Sequence, residues 1–323
     1  MTSYAPLRRP PANLELIARG GGRAQRLLAR LPTYLADLRE NPSWLVMFVF
    51  ARTMPGRRLH WLFARPGNGQ ATESAVFGDV DRANAVAELR SVGLYAGFAL
   101  PQSIHREILN FAERTPCFGN FDRRLELLPN EHKEAEKRFD CSILSGHYFE
   151  RVLKCEAAVA VQRDPLPLEI ARSYLGGQAR LVTTRLWWSF PTKGATEADL
   201  RLASQDKFHF DLDDWRMLKF FFYLTPVDAE SGPHVFVRRS HARRTIRHQT
   251  TLFVGHAAAD VTRAYGAENV AILLGPAGFG FVEDPFGFHM GSLARRSPRL
   301  AMELGFGVSP PSPRRFHGEP VVA

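Results

Sequence analysis

The stretch Phe208-His209-Phe210-Asp211-Leu212-Asp213-Asp214-Trp215 places an imidazole and a carboxylate two residues apart. In extended backbone, side chains alternate with period two, so His209 and Asp211 point to one face and their ligand atoms converge. Two histidines and one carboxylate on one face of a metal, with the opposite positions open, form the ligand set of non-heme Fe(II) oxygenases. A third ligand must come from a distant segment. Phe286-Gly287-Phe288-His289-Met290-Gly291-Ser292 supplies a histidine 78 residues after Asp211. Ten residues further, Arg299 opens the strand-like run Arg299-Leu300-Ala301-Met302-Glu303-Leu304. A guanidinium there can grip a remote carboxylate through two parallel hydrogen bonds. Arg295 or Arg296 takes that part if the strand register differs.

The His-x-Asp pair alone is weak. Eleven histidines and 14 aspartates in 323 residues give about 0.5 such pairs by chance, the usual false-positive risk of a short motif. His-x-Glu also occurs at His105/Glu107, His132/Glu134 and His317/Glu319. The first two lie in helical text, where residues two apart sit about 200° apart around the axis and cannot share a metal. The third lies in the tail.

The elements that must position these residues are mostly short strands. Leu181 to Phe190, Leu218 to Leu224, His234 to Val237, Val270 to Leu274, Phe279 to Val282 and Leu300 to Val308 are β-type runs divided by Gly/Pro turns, which favours a sandwich or barrel over a βαβ array. Upstream, Val86, Leu89 and Val92 form one helical face, residues 93–99 read as a strand, and Ile104 to Ala112 returns to helix. Residues 120–140 are heavily charged, as a solvated helix or a lid would be. The fold expected is mainly β with flanking helices (α+β).

Charge is unevenly spread. The chain carries +9 overall, yet residues 1–65 hold eleven arginines, no lysine and three acids, a net +8. A basic head on a nearly neutral body points to an anionic surface as partner. Leucines at helical spacing in residues 27–38 are interrupted by Pro32. Trp44 to Phe50 and Leu59 to Phe63 are apolar patches around a Met54-Pro55-Gly56 breaker, fitting a hairpin or helix pair docked on the body, or an arginine-flanked surface lying in a membrane interface. An Arg-rich, acid-poor start also suits a mitochondrial transit peptide. The longest apolar run, Trp44 to Ala51, is far shorter than the roughly 20 residues of a membrane span. Three cysteines without C-x-x-C spacing suggest neither a disulfide framework nor a zinc knuckle, and a reducing cytoplasm is the compartment expected, with peripheral contact at the inner membrane face. The expected division is 1–80, a basic extension; 81–308, the catalytic domain; and 309–323, a Pro/Arg-rich tail.

Taken together, several segments resemble the phytanoyl-CoA dioxygenase (PhyH-like) family of Fe(II)/2-oxoglutarate oxygenases. They are His209-x-Asp211, the strand Lys219-Phe220-Phe221-Phe222-Tyr223-Leu224-Thr225-Pro226-Val227, Ser231-Gly232-Pro233-His234, Ser240-His241, His289 and Arg299. Leu89 to Leu94 and Tyr174-Leu175-Gly176 extend the likeness, which spans roughly residues 82–308. One departure stands out: Arg238-Arg239 replaces the family's Pro-Gly before Ser-His. Asp211 in place of Gly or Ala argues against the halogenating variants.

The resemblance implies a double-stranded β-helix (jelly-roll/cupin-like) core, iron held by His209, Asp211 and His289, and 2-oxoglutarate with its far carboxylate on Arg299. Oxygen would be the oxidant and ascorbate a possible reductant, for hydroxylation of an unactivated C–H. Trp188, with Trp187 and Ser189 beside it, would border the co-substrate or join the core. Lys219 would meet an anionic ligand if inward, or snorkel at an edge. Asp213, Asp214 and Trp215 would shape the pocket mouth or serve turn chemistry, and His234 and His241 are read as structural. The basic head suggests a small or lipid-linked anionic substrate, for example a lipopolysaccharide-core sugar such as Kdo; acyl-CoA, amino-acid and natural-product intermediates are alternatives. A non-catalytic metal-binding β-helix is the rival class. Nucleic acid fits poorly, since no recognition helix or stacking module is visible.

Overall fold

The strand-like runs pair into two antiparallel sheets in the computed structural model, which describes residues 35, 39, 42–65, 72–191, 207–251 and 255–310. In chain order the helices are α1 (Pro42–Phe50), α2 (Met54–Trp61), α3 (Arg82–Val92), α4 (Gln102–Arg114), α5 (His132–Phe139), α6 (Glu156–Arg163), α7 (Pro165–Leu175), α8 (Ile246–Thr250) and α9 (Ala258–Tyr265). The strands are β1 (Leu94–Ala99), β2 (Cys117–Gly119), β3 (Glu126–Leu127), β4 (Ser145–His147), β5 (Arg180–Ser189), β6 (Met217–Tyr223), β7 (His234–Val237), β8 (Val270–Leu273), β9 (Phe279–Glu283), β10 (His289–Gly291) and β11 (Arg299–Gly307). Apart from Leu35, which is exposed, the leucine pattern of residues 27–38 and the tail from 311 lie outside the described residues.

The large sheet runs β1-β9-β6-β11-β5-β4-β2-β3, and the small one β10-β7-β8. A bridge between His209 and His289 adds the 208–211 segment beside β10. Four strands of the large sheet thus face four segments of the small one, and from β5 onward the chain crosses between the two at every step except β7 to β8, which are neighbours in the small sheet. That is the double-stranded β-helix, a jelly roll whose inner faces enclose a core.

Period-two alternation decides which residues line that interior. On β5, β6, β9 and β11, the side chains of Leu186, Trp188, Leu218, Phe220, Phe222, Val282, Leu300, Met302 and Leu304 pack outward against the helices. Their neighbours Trp187, Phe221, Tyr223, Phe281 and Ala301 pack inward against Phe236, Ala271 and Leu273 of the small sheet. Both faces are buried, so these strands read as continuous apolar runs broken by a few polar residues. Residues 120–140 contain β3 and α5, and α5 is anchored by buried His132, whose ring stacks on Phe190 at 4.3 Å.

Local chemistry sets the boundaries. Asp81 caps α3 by accepting from Asn84 N, and Gly93 ends it in the left-handed region at φ 82°. A Cβ at Gly93 would also lie 2.5 Å from His241 Nδ1, so β1 begins at once against that ring. Of the forms open to residues 44–63, the helix pair is observed: Thr53 caps α2 by accepting from Gly56 N, with Pro55 in the first turn.

The helix pair is bound to the barrel. Met47 and Ala51 pack on Leu212 and Phe286, and His60 stacks on Trp215 at 4.5 Å. Arg57 Nη2 reaches Asp284 Oδ2 at 2.6 Å, with side chains 5% and 1% exposed. Tyr174 donates to the same oxygen at 2.9 Å, and Asp284 Oδ1 accepts from Phe286 N at 3.0 Å. Removing one partner of a buried pair leaves an uncompensated charge, costing about 3–5 kcal/mol. Arg57→Ala is therefore expected to lower unfolding free energy by that order in denaturant titration, whereas Arg58→Ala, at an exposed neighbour, should leave it nearly unchanged.

Candidate metal centre

The bridge between the 208–211 segment and β10 builds the centre from the backbone up. His209 N donates to His289 O and His289 N to His209 O, both at 2.9 Å, while Asp211 N donates to Pro285 O at 2.8 Å. Three side chains thereby meet: the ligand atoms of His209, Asp211 and His289 all lie within 4.8 Å of one another. His289 Nε2 is 3.7 Å from Asp211 Oδ2, and the two imidazole centroids are 4.4 Å apart.

Each imidazole is oriented by its own backbone. His209 Nδ1 lies 3.2 Å from Lys207 O, and His289 Nδ1 lies 3.0 Å from Gly287 O. A ring whose Nδ1–H donates to a carbonyl presents Nε2 as a lone pair, the arrangement that metal-ligating histidines adopt. Burial lowers the pKa of His209 and pushes that of His289 down to about 4, so both are neutral at pH 7, the form a metal binds. Gly287 is required by close approach: a Cβ there would sit 2.4 Å from the Phe236 ring.

Arg299 faces the same interior. It is 5% exposed, its Nη1 donates to Gly232 O, and its Nη2 donates to Ser189 Oγ at 3.1 Å. Its Nε is buried without a hydrogen-bond partner, and among the described residues no carboxylate pairs with it. Burial lowers its pKa, opposed by the Tyr223 hydroxyl. A guanidinium taken out of water without an anion is costly.

The same interior carries further charged side chains. His234 Nε2 is 2.8 Å from Glu283 Oε2, and its ring stacks on that of His289 at 5.6 Å. Lys219 Nζ is 2.7 Å from Asp211 Oδ2 and 3.7 Å from Glu303 Oε1, and Arg185 is 3.8 Å from Glu303. Burial pushes Glu283 up to about 8, so it is mostly protonated at neutral pH. Three cations then face two carboxylates, an excess that suits a dianionic ligand.

Several expectations are sharpened. Trp188 does not border this interior: it packs in the helix-side core, 5% exposed, with Nε1 donating to Tyr148 Oη at 2.9 Å. Alternation sends its neighbours Trp187 and Ser189 inward instead, and Ser189 meets Arg299. Lys219 is inward, but its ammonium is seated on Asp211. Arg296 is an exposed partner of Asp228 at 2.9 Å and Arg295 is also exposed, so neither replaces Arg299. Asp214 ties down the end of β11, accepting from Val308 N and Ser309 N at 2.7 Å. His234, read as structural, lines the interior beside His289. Glu283, Glu303 and Arg185 were not singled out from sequence; their signal was a charge at an inward position of an apolar strand.

A second group, His248, His256 and Asp260, also has ligand atoms within 4.8 Å, but Asp260 is already paired with Arg247 at 3.1 Å.

No family model and no curated protein matches the chain, and the likeness to phytanoyl-CoA dioxygenases stays a resemblance of motifs. Solved structures do resemble it. AviO1 from Streptomyces viridochromogenes Tue57 is 16% identical over 73% of this chain and 100% of its own, with a TM-score of 0.48. EctD from S. alaskensis, solved with 2-oxoglutarate and 5-hydroxyectoine, is 17% identical over 80% and 92%, TM-score 0.48. The epimerase SnoN, in complex with Fe3+, alpha ketoglutarate and nogalamycin RO, is 15% identical over 70% and 82%, TM-score 0.48.

Trp188→Phe is expected to cost about 1–2 kcal/mol in denaturant unfolding, through loss of the Tyr148 hydrogen bond. Ligand titrations of the barrel interior should be unchanged by it, because the ring lies behind the sheet.

Proposed function

We propose that the chain is an Fe(II)/2-oxoglutarate-dependent oxygenase hydroxylating an unactivated C–H bond of a small molecule. The observation that carries this reading is the pairing, inside one β-helix, of the His209, Asp211 and His289 cluster with a buried Arg299 that lacks an anion. Two neutral imidazoles with oriented rings and a carboxylate fit Fe(II), and the guanidinium fits the far carboxylate of 2-oxoglutarate. When bound, the iron and 2-oxoglutarate with O2 supply the oxidising power for C–H cleavage.

The protein's own residues bind, orient and exclude water. His209, Asp211 and His289 would hold the metal through two imidazole nitrogens and a carboxylate oxygen. Lys219 fixes Asp211 through a 2.7 Å contact. Ser189 and Gly232 O hold the Arg299 fork in place, and Phe221 and Phe281 keep the interior dry.

Anaerobic titration of the metal-free protein with Fe(II) and 2-oxoglutarate tests this reading through the weak visible charge-transfer band of the chelate. The band is expected in the wild type, absent in His289→Ala, and displaced to at least about tenfold higher 2-oxoglutarate in Arg299→Ala. A folded wild type without the band would favour the non-catalytic binding module.

The substrate is read as anionic and presented at a membrane surface, of which a lipid-linked Kdo-type sugar is one case. Val46, Val49, Phe50, Leu59, Leu62 and Phe63 are 50% to 79% exposed on and just after α1 and α2, next to exposed Arg58. Such a surface supports interfacial contact with anionic lipid, and no helix of the described residues is long and apolar enough to cross a membrane. Flotation with anionic liposomes should recover the full chain, and Leu62→Asp/Phe63→Asp should reduce recovery severalfold. Equal flotation of both, or of neither, would remove the membrane from the account.

A further inference from the structure

Outside the barrel, behind the small sheet, α2, the 238–245 loop and α9 enclose a cleft of about 500 Å³. Five arginines line it: Arg58, Arg238, Arg239, Arg243 and Arg244. No carboxylate lines it, and among the described residues none of the five makes an ion pair. Elsewhere on this chain exposed arginines do find acids, as Arg123 does with Glu150 and Arg247 with Asp260. The cleft therefore concentrates positive charge that the fold leaves uncompensated.

The base of the cleft is built. Arg244 is 6% exposed, its guanidinium lies 3.8 Å from the ring centroids of Phe210 and Phe286, and its Nη2 donates to Phe286 O. Its Nε and Nη1 are buried without hydrogen-bond partners. Burial, with Arg57 and Arg52 nearby, pushes its pKa down to about 9 despite Tyr265 and Asp284. Arg239 is held in the left-handed region at φ 67°, its N donating to Val92 O and its carbonyl accepting from Arg243 N. A non-glycine residue held there is strained backbone, a feature that gathers at ligand sites. Arg238 and Arg239 are also the residues that depart from the Pro-Gly of the family this chain resembles.

We propose that this cleft binds a small molecule carrying two or more linked phosphate groups, with Arg58, Arg238, Arg239 and Arg243 around it and Arg244 at its base. A single carboxylate would leave most of the five cations unmatched, whereas a diphosphate offers three or so charges and oxygens spaced for several guanidinium forks. The cleft is polar at its rim and within the size range of small-molecule sites. It is separate from the barrel interior, and the inference stands whether or not that interior holds iron.

Calorimetric titration of the metal-free protein with inorganic pyrophosphate at fixed ionic strength tests it, with sulfate as the comparison anion and ADP as a second probe. Saturable binding tighter than sulfate is expected, weakened at least about tenfold in Arg238→Ala/Arg243→Ala and retained in Arg299→Ala. Both substituted side chains are exposed, so the double variant should fold, which its circular dichroism will show. ADP binding more tightly than pyrophosphate would support an organic diphosphate as ligand, and equal affinity would support recognition of the phosphates alone. Binding no tighter than sulfate, binding unchanged in the double variant, or binding lost in Arg299→Ala would each overturn the proposal.

Discussion

Two backbone hydrogen bonds, exchanged between His209 and His289, hold together segments 80 residues apart, and the candidate site depends on them. They fix which face each strand presents, so a slip of one residue would send both imidazoles to the outer side. The same register places Phe210 and Phe288 outward, where they pack on Arg244 and the helix pair. Site and outer shell are two faces of one pairing.

What steadies that pairing is a relay of contacts from the amino-terminal helices. Arg57 holds Asp284, which follows the inward Glu283 and orders the Phe286 backbone. Pro285 O then receives Asp211 N, and Gly287 O receives the His289 ring. The helix pair thus contributes to ligand geometry without entering the barrel. Inside, burial and charge pairing act against one another. Lys219 stays charged despite burial because Asp211 and Glu303 face it, while for Glu283 burial outweighs His289 and Lys219 and pushes it toward its neutral form.

Much of this was legible in the sequence, for reasons that can be named. The six core strands were found to within a residue or two because apolar runs ended by Gly and Pro have few alternative conformations. The His-x-Asp pair, the distant histidine and the arginine after it were visible because their chemistry restricts residue type. Trp188 was left between the co-substrate border and the core because alternation cannot be phased from a run whose two faces are both buried; only the pairing with β11 shows that Ser189, opposite Arg299, is the inward residue. Glu283 and Glu303 were not singled out, although a carboxylate at an inward position of an apolar strand must have a partner. Arg238-Arg239 looked like a sequence departure, and only folding gathers them with Arg58, Arg243 and Arg244.

The central claim is that one β-helix interior holds a metal on His209, Asp211 and His289 and an anion on Arg299. Diffraction from crystals grown anaerobically with Fe(II) and 2-oxoglutarate, located by the anomalous signal of iron, addresses it most directly. The account predicts an iron peak at bonding distance from those three side chains, with the far carboxylate of 2-oxoglutarate on the Arg299 guanidinium. An iron peak at His248, His256 and Asp260 instead, or a dicarboxylate bound away from Arg299, would contradict it.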